Sequence, residues 1–202
     1  MSVVLLFANC KQSQNKPDYS WEKENLNRDS WQKPSLVIEK LGNIEGKVIG
    51  DVGAGTGYFA FRLAIKKAKV IALEIDTFMI SLIEAFKANL PEEVQSNIET
   101  RPVEENDPLL KPNELDIAVI INTVSYIKKP YEYIPKLCEG IKTGGKILIV
   151  DYKIEPVPIP APPKKKRIKP EILTDLLSSQ GFKNISVDLE TLDYQYIVIA
   201  EK

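Results

Sequence analysis

The chain has 202 residues, a length that suits one globular domain with short appendages and a core that needs no disulfides. Its 44% hydrophobic and 27% charged residues are typical of a folded protein and exclude wholesale disorder or a polytopic membrane protein. The net charge of −1 gives no reason to expect nucleic acid as a partner, and the lack of histidine excludes Ser-His-Asp catalysis and imidazole-ligated metals, so no metal site is predicted.

Residues 1–30 are predicted to form a leader or flexible polar segment that precedes a domain at residues 31–202. A short apolar run, residues 3–8, leads to Asn9 and Cys10, and a polar stretch follows. This order resembles the end of a bacterial lipoprotein signal, in which Cys10 would be lipidated and would anchor the protein to a membrane. The alternative is the start of a cytoplasmic protein, and both readings stay open. We expect no transmembrane span, because no apolar run approaches about 20 residues.

From Trp31 onward, apolar runs of strand length alternate with segments of helical period. The predicted strands are residues 47–52, 70–75, 97–101, 115–121, 146–152, 185–189 and 194–200, and helical patterns include residues 34–41, 59–64, 77–90, 134–141 and 170–177. The alternation predicts an α/β fold with a mostly parallel, Rossmann-like sheet of seven strands and helices on both faces. The last two strands, joined by a short turn, predict an antiparallel hairpin at the edge of that sheet.

The connection after the fifth strand has an unusual composition. Residues 154–163 include five prolines, which predict an extended loop with few backbone donors. A basic run, Lys164–Arg167, and then Lys169 follow it. We interpret this run as a solvated loop, and the alternative is a lid that recognises an anionic substrate.

The informative motif is Asp51-Val52-Gly53-Ala54-Gly55-Thr56-Gly57, which lies between the first strand and a helix, with Glu74 near the end of the next strand. Glycines let the backbone approach a ligand closely, and an acid at Glu74 can accept the hydroxyls of a ribose. The spacing G-x-G-x-G differs from the dinucleotide pattern G-x-G-x-x-G. An acid beside the loop repels phosphate but binds an ammonium group, and S-adenosylmethionine carries that ammonium without any phosphate.

With these motifs the sequence resembles the class I S-adenosylmethionine-dependent methyltransferases from Trp31 to its end. Lys142-Thr143-Gly144-Gly145 resembles the family's K-P-G-G turn, and the strand that follows it ends at Asp151. The resemblance implies S-adenosylmethionine as the cofactor. It places the methionine portion at the glycine loop, the ribose at Glu74 and the methyl group beside Asn122. The implied contacts are Asp51, Gly53, Ala54, Gly55, Thr56, Gly57, Glu74, Ile75, Glu104 and Asn122, with Val103 as the alternative to Glu104 near the adenine.

Further segments, among them Trp31-Gln32-Lys33-Pro34 and Tyr194-Gln195-Tyr196, resemble a small bacterial subgroup of the family. In that subgroup the fourth strand runs into N-T-x-H-H-I, whereas this chain has Ser125 and Tyr126 in place of the two histidines. We therefore expect a changed acceptor or a loss of activity. The candidate catalytic residues are Tyr126, Ser125 and Asp151, any of which would orient the acceptor or accept its proton.

The predicted function is methyl transfer to a small-molecule acceptor, with no nucleic acid as partner. A second hypothesis is a catalytically impaired protein that binds S-adenosylmethionine or another nucleoside. A third, a nicotinamide-dependent oxidoreductase, would require a pyrophosphate at the glycine loop. The sequence carries no signal of the oligomeric state or of the acceptor's identity.

Overall fold

The structure is a computed structural model that describes residues 28–202. The interpretation of Cys10 therefore lies outside the described residues. The first described helix, Arg28–Gln32, crosses the predicted boundary between residues 30 and 31. The division into leader and domain stays a prediction.

The elements follow one another in the predicted alternation. The helices are α1 (Arg28–Gln32), α2 (Pro34–Glu39), α3 (Tyr58–Ile65), α4 (Thr77–Lys87), α5 (Glu92–Gln95), α6 (Pro130–Gly140) and α7 (Pro170–Ser179). The strands are β1 (Val48–Val52), β2 (Lys69–Glu74), β3 (Ile98–Pro102), β4 (Leu115–Ile121), β5 (Ile141–Tyr152), β6 (Lys183–Asp188) and β7 (Gln195–Glu201). Short 3₁₀ turns lie at Val124–Tyr126 and Lys164–Lys166.

Within the described residues the strands form a seven-stranded sheet in the order β3-β2-β1-β4-β5-β7-β6. Strands β1 to β5 pair in parallel, and β7 pairs antiparallel with both β5 and β6. This arrangement confirms the predicted Rossmann-like fold with its antiparallel hairpin. Because the parallel strands share one direction, their carboxyl ends meet at one edge, and the chain order reverses between β1 and β4.

Two elements differ most from the predicted bounds. Strand β5 begins at Ile141 rather than at Lys146, because Leu115 pairs with Ile141 before the register shifts and Ile117 pairs with Lys146. The predicted turn at Gly144 lies inside that irregular part of the strand, with a φ of 78°. Helix α6 begins at Pro130 and keeps Pro135 in its interior.

Apolar side chains pack against both faces of the sheet. One cluster includes Phe61 and Ile83 on the face of α3 and α4, and the other includes Leu137 and Leu177 on the face of α6 and α7. Cys138 belongs to the second cluster, and burial raises the pKa of its thiol to about 12, as expected of a small hydrophobic residue rather than a nucleophile. In residues 28–202, no helix has the length and apolarity needed to cross a bilayer.

Candidate functional site

The glycine loop brings the end of β1 close to the end of β4. Gly53 donates from its backbone to Leu73 O at 2.8 Å and has a φ of 70°. A Cβ atom at Gly53 would lie 2.5 Å from the side chain of Thr123, so only glycine fits this approach. At Gly55, whose φ is 56°, an added Cβ would meet nothing within 4 Å. The loop is therefore packed on one side and leaves open space on the other.

Asp51, on β1 just before this loop, is a buried carboxylate with an unsatisfied oxygen. Only 3% of the residue is exposed, and its Oδ2 atom has no hydrogen-bond partner in the described part of the chain. Burial raises the pKa of Asp51 to about 7; Glu74 adds to the rise, whereas Arg28 and the backbone N–H of Ala60 oppose it. A buried, unpaired acceptor is costly, so a donor from a ligand would stabilise this site.

Arg28 of α1 lines the same cavity of about 130 Å³ as Asp51, Gly53, Gly55 and Asn122. Its guanidinium carbon lies 4.1 Å from the centroid of the Tyr58 ring, and its Nε donates to Gln32 Oε1 at 2.6 Å. Burial lowers the pKa of Arg28. The cavity therefore holds a cation and an acid side by side. Arg28 belongs to the predicted leader, and nothing in the local sequence pattern marks it as a site residue.

Three carboxamide side chains meet beside this cavity, and we call Gln32, Asn122 and Gln195 the amide cluster. Gln32 Nε2 donates to Gln195 Oε1 at 2.7 Å and to Asn122 Oδ1 at 3.2 Å. Asn122 Nδ2 donates a hydrogen bond to Gln32 Oε1 at 3.0 Å, and Gln195 Nε2 also donates to Asn122 Oδ1. Asn122, which has a φ of 60°, is thus fixed at the end of β4. The motifs containing Gln32 and Gln195 were noted in the sequence, but their convergence was not predicted.

Glu74, at the end of β2, is also buried and accepts three backbone N–H groups. Its Oε1 accepts from Ile75 at 2.8 Å and from Asp76 at 3.0 Å, and its Oε2 accepts from Gly55 at 2.8 Å. A carboxylate has about four acceptor positions, so one position on Oε2 stays available. Glu74 thereby links β2 to the glycine loop while keeping capacity for a ligand hydroxyl.

A second cavity of about 180 Å³ lies between Glu74 and the segment after β4. Its lining is mostly apolar with acids at one side and comprises Val52, Gly53, Leu73, Glu74, Ile75, Val103, Glu104, Glu105, Thr123, Tyr126, Ile127 and Tyr133. Predicted residues Ile75 and Glu104 therefore meet at one cavity, and Val103, the alternative to Glu104, lines it too. Ala54 lines the smaller cavity with Asp51, whereas Thr56 and Gly57 line neither.

The three candidate catalytic residues lie close in sequence or space but differ in exposure. Asp151 is fully buried and accepts from Ser125 Oγ at 2.7 Å, from Ser125 N at 3.1 Å and from Tyr152 N at 2.7 Å. Burial raises the pKa of Asp151, and these hydrogen bonds oppose the rise. Tyr126 is 58% exposed and lines the larger cavity. Tyr126 is thus accessible to a ligand, whereas Ser125 and Asp151 are buried and hydrogen-bonded to each other.

The two cavities together fit the chemistry of S-adenosylmethionine. The unpaired Oδ2 of Asp51 and the cation of Arg28 suit an amino-acid ammonium and carboxylate, and Glu74 suits a ribose hydroxyl. The apolar lining of the larger cavity suits a purine ring. A pyrophosphate would meet the acid at Asp51, which argues against a dinucleotide at the loop.

Comparison with known proteins supports the same chemistry. A family model described as "Methyltransferase domain" matches residues 44–191. The chain is 27% identical over 167 residues to the tRNA U34 carboxymethyltransferase of Haemophilus influenzae strain Rd, an alignment that covers 77% of this chain and 51% of that protein. The chain spans about half the length of the curated relatives it matches.

Solved structures share the fold. The crystal structure of an S-adenosylmethionine-dependent methyltransferase from Aquifex aeolicus superposes with a TM-score of 0.77 at 24% sequence identity. The superposition covers 86% of this chain and 92% of the Aquifex chain. Phosphoethanolamine N-methyltransferase 2 of Haemonchus contortus, solved with phosphomonomethylethanolamine and S-adenosylhomocysteine, gives a TM-score of 0.69 at 14% identity, over 85% and 52% of the two chains. At these identities the likeness concerns the fold.

Proposed function

Since the chain belongs to the class I S-adenosylmethionine-dependent methyltransferases, we propose that it transfers a methyl group to a small-molecule acceptor at the carboxyl edge of β4 and β5. The observation that carries the placement of the cofactor is the buried Oδ2 atom of Asp51, which has no partner in the described residues and lines a cavity together with Arg28. An α-amino acid supplies an ammonium donor for Asp51 Oδ2 and a carboxylate for the Arg28 guanidinium.

The cofactor contacts follow from the two cavities. Asp51 Oδ2 would accept the ammonium of the methionine portion, and Arg28 would bind its carboxylate. Glu74 Oε2 would accept one ribose hydroxyl with its remaining lone pair, and a second hydroxyl would compete with the backbone N–H of Gly55. Ile75 and Val103 would pack against the adenine. Glu104 lies at the same cavity, and we propose it as the acceptor for the exocyclic amine.

When bound, S-adenosylmethionine supplies a methyl group on a positively charged sulfur, which a lone pair of the acceptor attacks as the carbon–sulfur bond breaks. This displacement needs alignment more than covalent help, so the chain's main task is to fix the reactants and exclude water. The amide cluster fixes Asn122 at the end of β4, where the resemblance expects the methyl group. Tyr126, which is exposed and lines the cavity, is our choice to orient the acceptor or take its proton.

Ser125 and Asp151 have a different proposed part. Because the Asp151 carboxylate accepts both the hydroxyl and the backbone N–H of Ser125, it holds the turn that carries Tyr126 against the end of β5. We propose that the pair positions Tyr126, and that a direct proton transfer by Asp151 is the alternative.

The relatives give a reason to consider a second acceptor class. The Haemophilus influenzae relative carries the name tRNA U34 carboxymethyltransferase, so a tRNA nucleoside is a candidate acceptor here. The chain spans half of those proteins and has a net charge of −1, which offers no bulk attraction to RNA and favours the small molecule. The alternative to methyl transfer is a catalytically impaired binding protein. It is suggested by Ser125 and Tyr126, which replace the two histidines of the similar subgroup.

Calorimetry with S-adenosylhomocysteine tests the placement of the cofactor. We expect Asp51→Ala and Glu74→Ala to weaken binding by at least about tenfold, and unchanged affinity in both would overturn the placement. Transfer of labelled methyl groups, assayed separately with small-molecule extracts and with tRNA, tests the acceptor class. Cofactor binding without transfer to either pool would favour the impaired binding protein.

A further inference from the structure

The segment that follows β5 concentrates positive charge at the edge of the sheet where the site lies. Residues 153–169, which we call the basic loop, hold six basic side chains and one acidic side chain, Glu155. Their net charge is +5 in a chain whose total is −1. The basic loop begins directly after Tyr152, the last residue of β5, and two residues after Asp151.

The basic loop is held in one shape by its own contacts. The Arg167 guanidinium donates to the backbone carbonyls of Pro162 at 2.9 Å, Lys153 at 2.9 Å and Glu155 at 2.8 Å. The Tyr196 hydroxyl donates to Ile168 O at 2.8 Å, which ties the loop's end to β7. The five prolines further restrict the backbone conformations that the loop can adopt. A loop fixed in this way presents its remaining side chains at defined positions, so its backbone loses little conformational entropy when a ligand binds.

In the part of the chain that the structure describes, no lysine of the basic loop pairs with an acidic side chain. Within residues 28–202, four exposed lysines form no ion pair and donate no side-chain hydrogen bond: Lys164, Lys165, Lys166 and Lys169. Lysines on the other side of the site differ, because Lys128 pairs with Glu105 at 2.6 Å and Lys136 pairs with Asp107 at 2.9 Å. A fixed group of unneutralised lysines attracts anions.

The basic loop also acts electrically on the acceptor side of the site. Burial raises the pKa of both Asp151 and Tyr152, and the positive charge of Arg167 partly offsets these rises. Arg167 reaches this end of β5 by donating to Lys153 O, the carbonyl that follows Tyr152. The adenosine-side cavity has the opposite sign, since Glu74, Glu104 and Glu105 line it. The site therefore runs from an acidic part that suits a cationic cofactor to a basic part at the loop.

We propose that the basic loop binds an anionic group of the methyl acceptor, a phosphate or a carboxylate on a small molecule. This inference rests on the proposed function and adds the chemical class of the substrate to it. The acids of the adenosine-side cavity repel such an anion, and the lysines attract it to the loop that begins directly after Tyr152. Charge thus sorts the two substrates into separate parts of one cleft.

Equilibrium binding of two probes tests the proposal without a known acceptor. Inorganic pyrophosphate represents phosphates and citrate represents carboxylates, and each is titrated into the full chain with and without S-adenosylhomocysteine. The test variant is K164Q/K165Q/K166Q. The matched control is K66Q/K67Q/K69Q, which removes the same charge from exposed positions at the opposite edge of the sheet.

We expect one probe or both to bind the wild type, with the dissociation constant rising about tenfold in the loop variant and less than about twofold in the control. The proposal would be overturned if neither probe binds the wild type, or if both variants lose the same amount of probe affinity. The probe that binds more tightly assigns the anion as phosphate or carboxylate.

A transfer assay separates this proposal from the proposed function. Labelled S-adenosylmethionine is incubated with a small-molecule extract and with total RNA, and the methylated product is passed over an anion exchanger. A retained small product that the loop variant makes more slowly, at unchanged affinity for S-adenosylhomocysteine, supports the proposal. A neutral or cationic product overturns the anionic class and leaves methyl transfer intact, and label only in RNA overturns the small-molecule acceptor. Label in neither pool would count against the proposed function. The probe titrations would still test whether the basic loop binds an anion.

Discussion

Ser125 and Asp151 form a buried pair in which the Asp151 carboxylate accepts both the hydroxyl, at 2.7 Å, and the backbone N–H, at 3.1 Å, of Ser125. The pair joins the turn after β4 to the end of β5, because Tyr152 donates its own backbone N–H to the same carboxylate. Tyr126, the residue after Ser125, lines the larger cavity, and we propose that this connection positions it there. The pair therefore links the stability of the fold to the geometry of the site.

The first prediction concerns the free energy of unfolding of Asp151→Asn. The amide replaces one acceptor by a donor that faces N–H or O–H groups, so we expect a loss of about 2–3 kcal/mol in urea denaturation. Ser125→Ala removes one of the three bonds and should cost about 1 kcal/mol. Asp175→Asn, at an exposed position of α7, is the matched control and should change little. Wild-type stability in Asp151→Asn together with lost methyl transfer would instead assign Asp151 to the chemistry.

The second prediction is a pH dependence at Asp51. Burial raises the folded-state pKa of Asp51 from 3.8 to about 7, so the folded protein keeps a proton that the unfolded chain releases. The stability that this proton contributes is complete below about pH 4 and is lost as the pH rises through about 7. We therefore expect the free energy of unfolding of unliganded Asp51→Asn to exceed that of the wild type at pH ~8, and the difference to shrink toward pH ~4.

The same titration should appear in cofactor binding with the opposite sign. The ionised carboxylate accepts the ligand's ammonium, so wild-type affinity for S-adenosylhomocysteine should fall as the pH drops below about 7. Asp51→Asn should bind at least about tenfold more weakly at pH ~8 and should lose this pH dependence. Calorimetry across the range checks both statements. An affinity of the wild type that does not change with pH would contradict the placement of the ammonium.

The sequence predicted the parts of the molecule that depend on local pattern. The bounds of β4 match the predicted residues 115–121, because a long apolar run buried on both faces has few alternative readings. The glycine loop and Glu74 also lie where the motif indicated, at the ends of adjacent strands. Arg28 and the amide cluster could not be found in that way. Gln32 lies 90 residues from Asn122, and Asn122 lies 73 from Gln195, so their meeting depends on the tertiary fold.

The third prediction concerns Glu74→Gln. In place of Oε2 the amide nitrogen would face the backbone N–H of Gly55, and in place of Oε1 it would face those of Ile75 and Asp76. We expect the dissociation constant for S-adenosylhomocysteine to rise about 10- to 100-fold. Asp76→Asn is the control, because Asp76 is exposed and only caps α4 through Phe78 N. It should lower stability by about 1 kcal/mol at most and leave cofactor affinity within about twofold.

The fourth prediction uses Arg28, the site residue that the sequence did not reveal. Arg28→Met keeps much of the side chain's length and its packing on Tyr58 but removes the charge. Since that charge opposes the rise in the pKa of Asp51, we expect the pH midpoint of S-adenosylhomocysteine binding to move to higher pH in the variant. Affinity at pH ~8 should fall about tenfold or more, because the ligand's carboxylate loses its partner.

Arg101→Met is the matched control for Arg28→Met, because Arg101 lies on β3, pairs with Glu99 and Glu114, and lines neither cavity. It should lower stability without moving the pH midpoint of binding. An Arg28→Met variant that binds more weakly but keeps the wild-type midpoint would mean that Arg28 supports the shape of the cavity through Gln32 and Tyr58. A shifted midpoint requires that the cation and Asp51 share one electrostatic environment, which is the arrangement that a zwitterionic ligand needs.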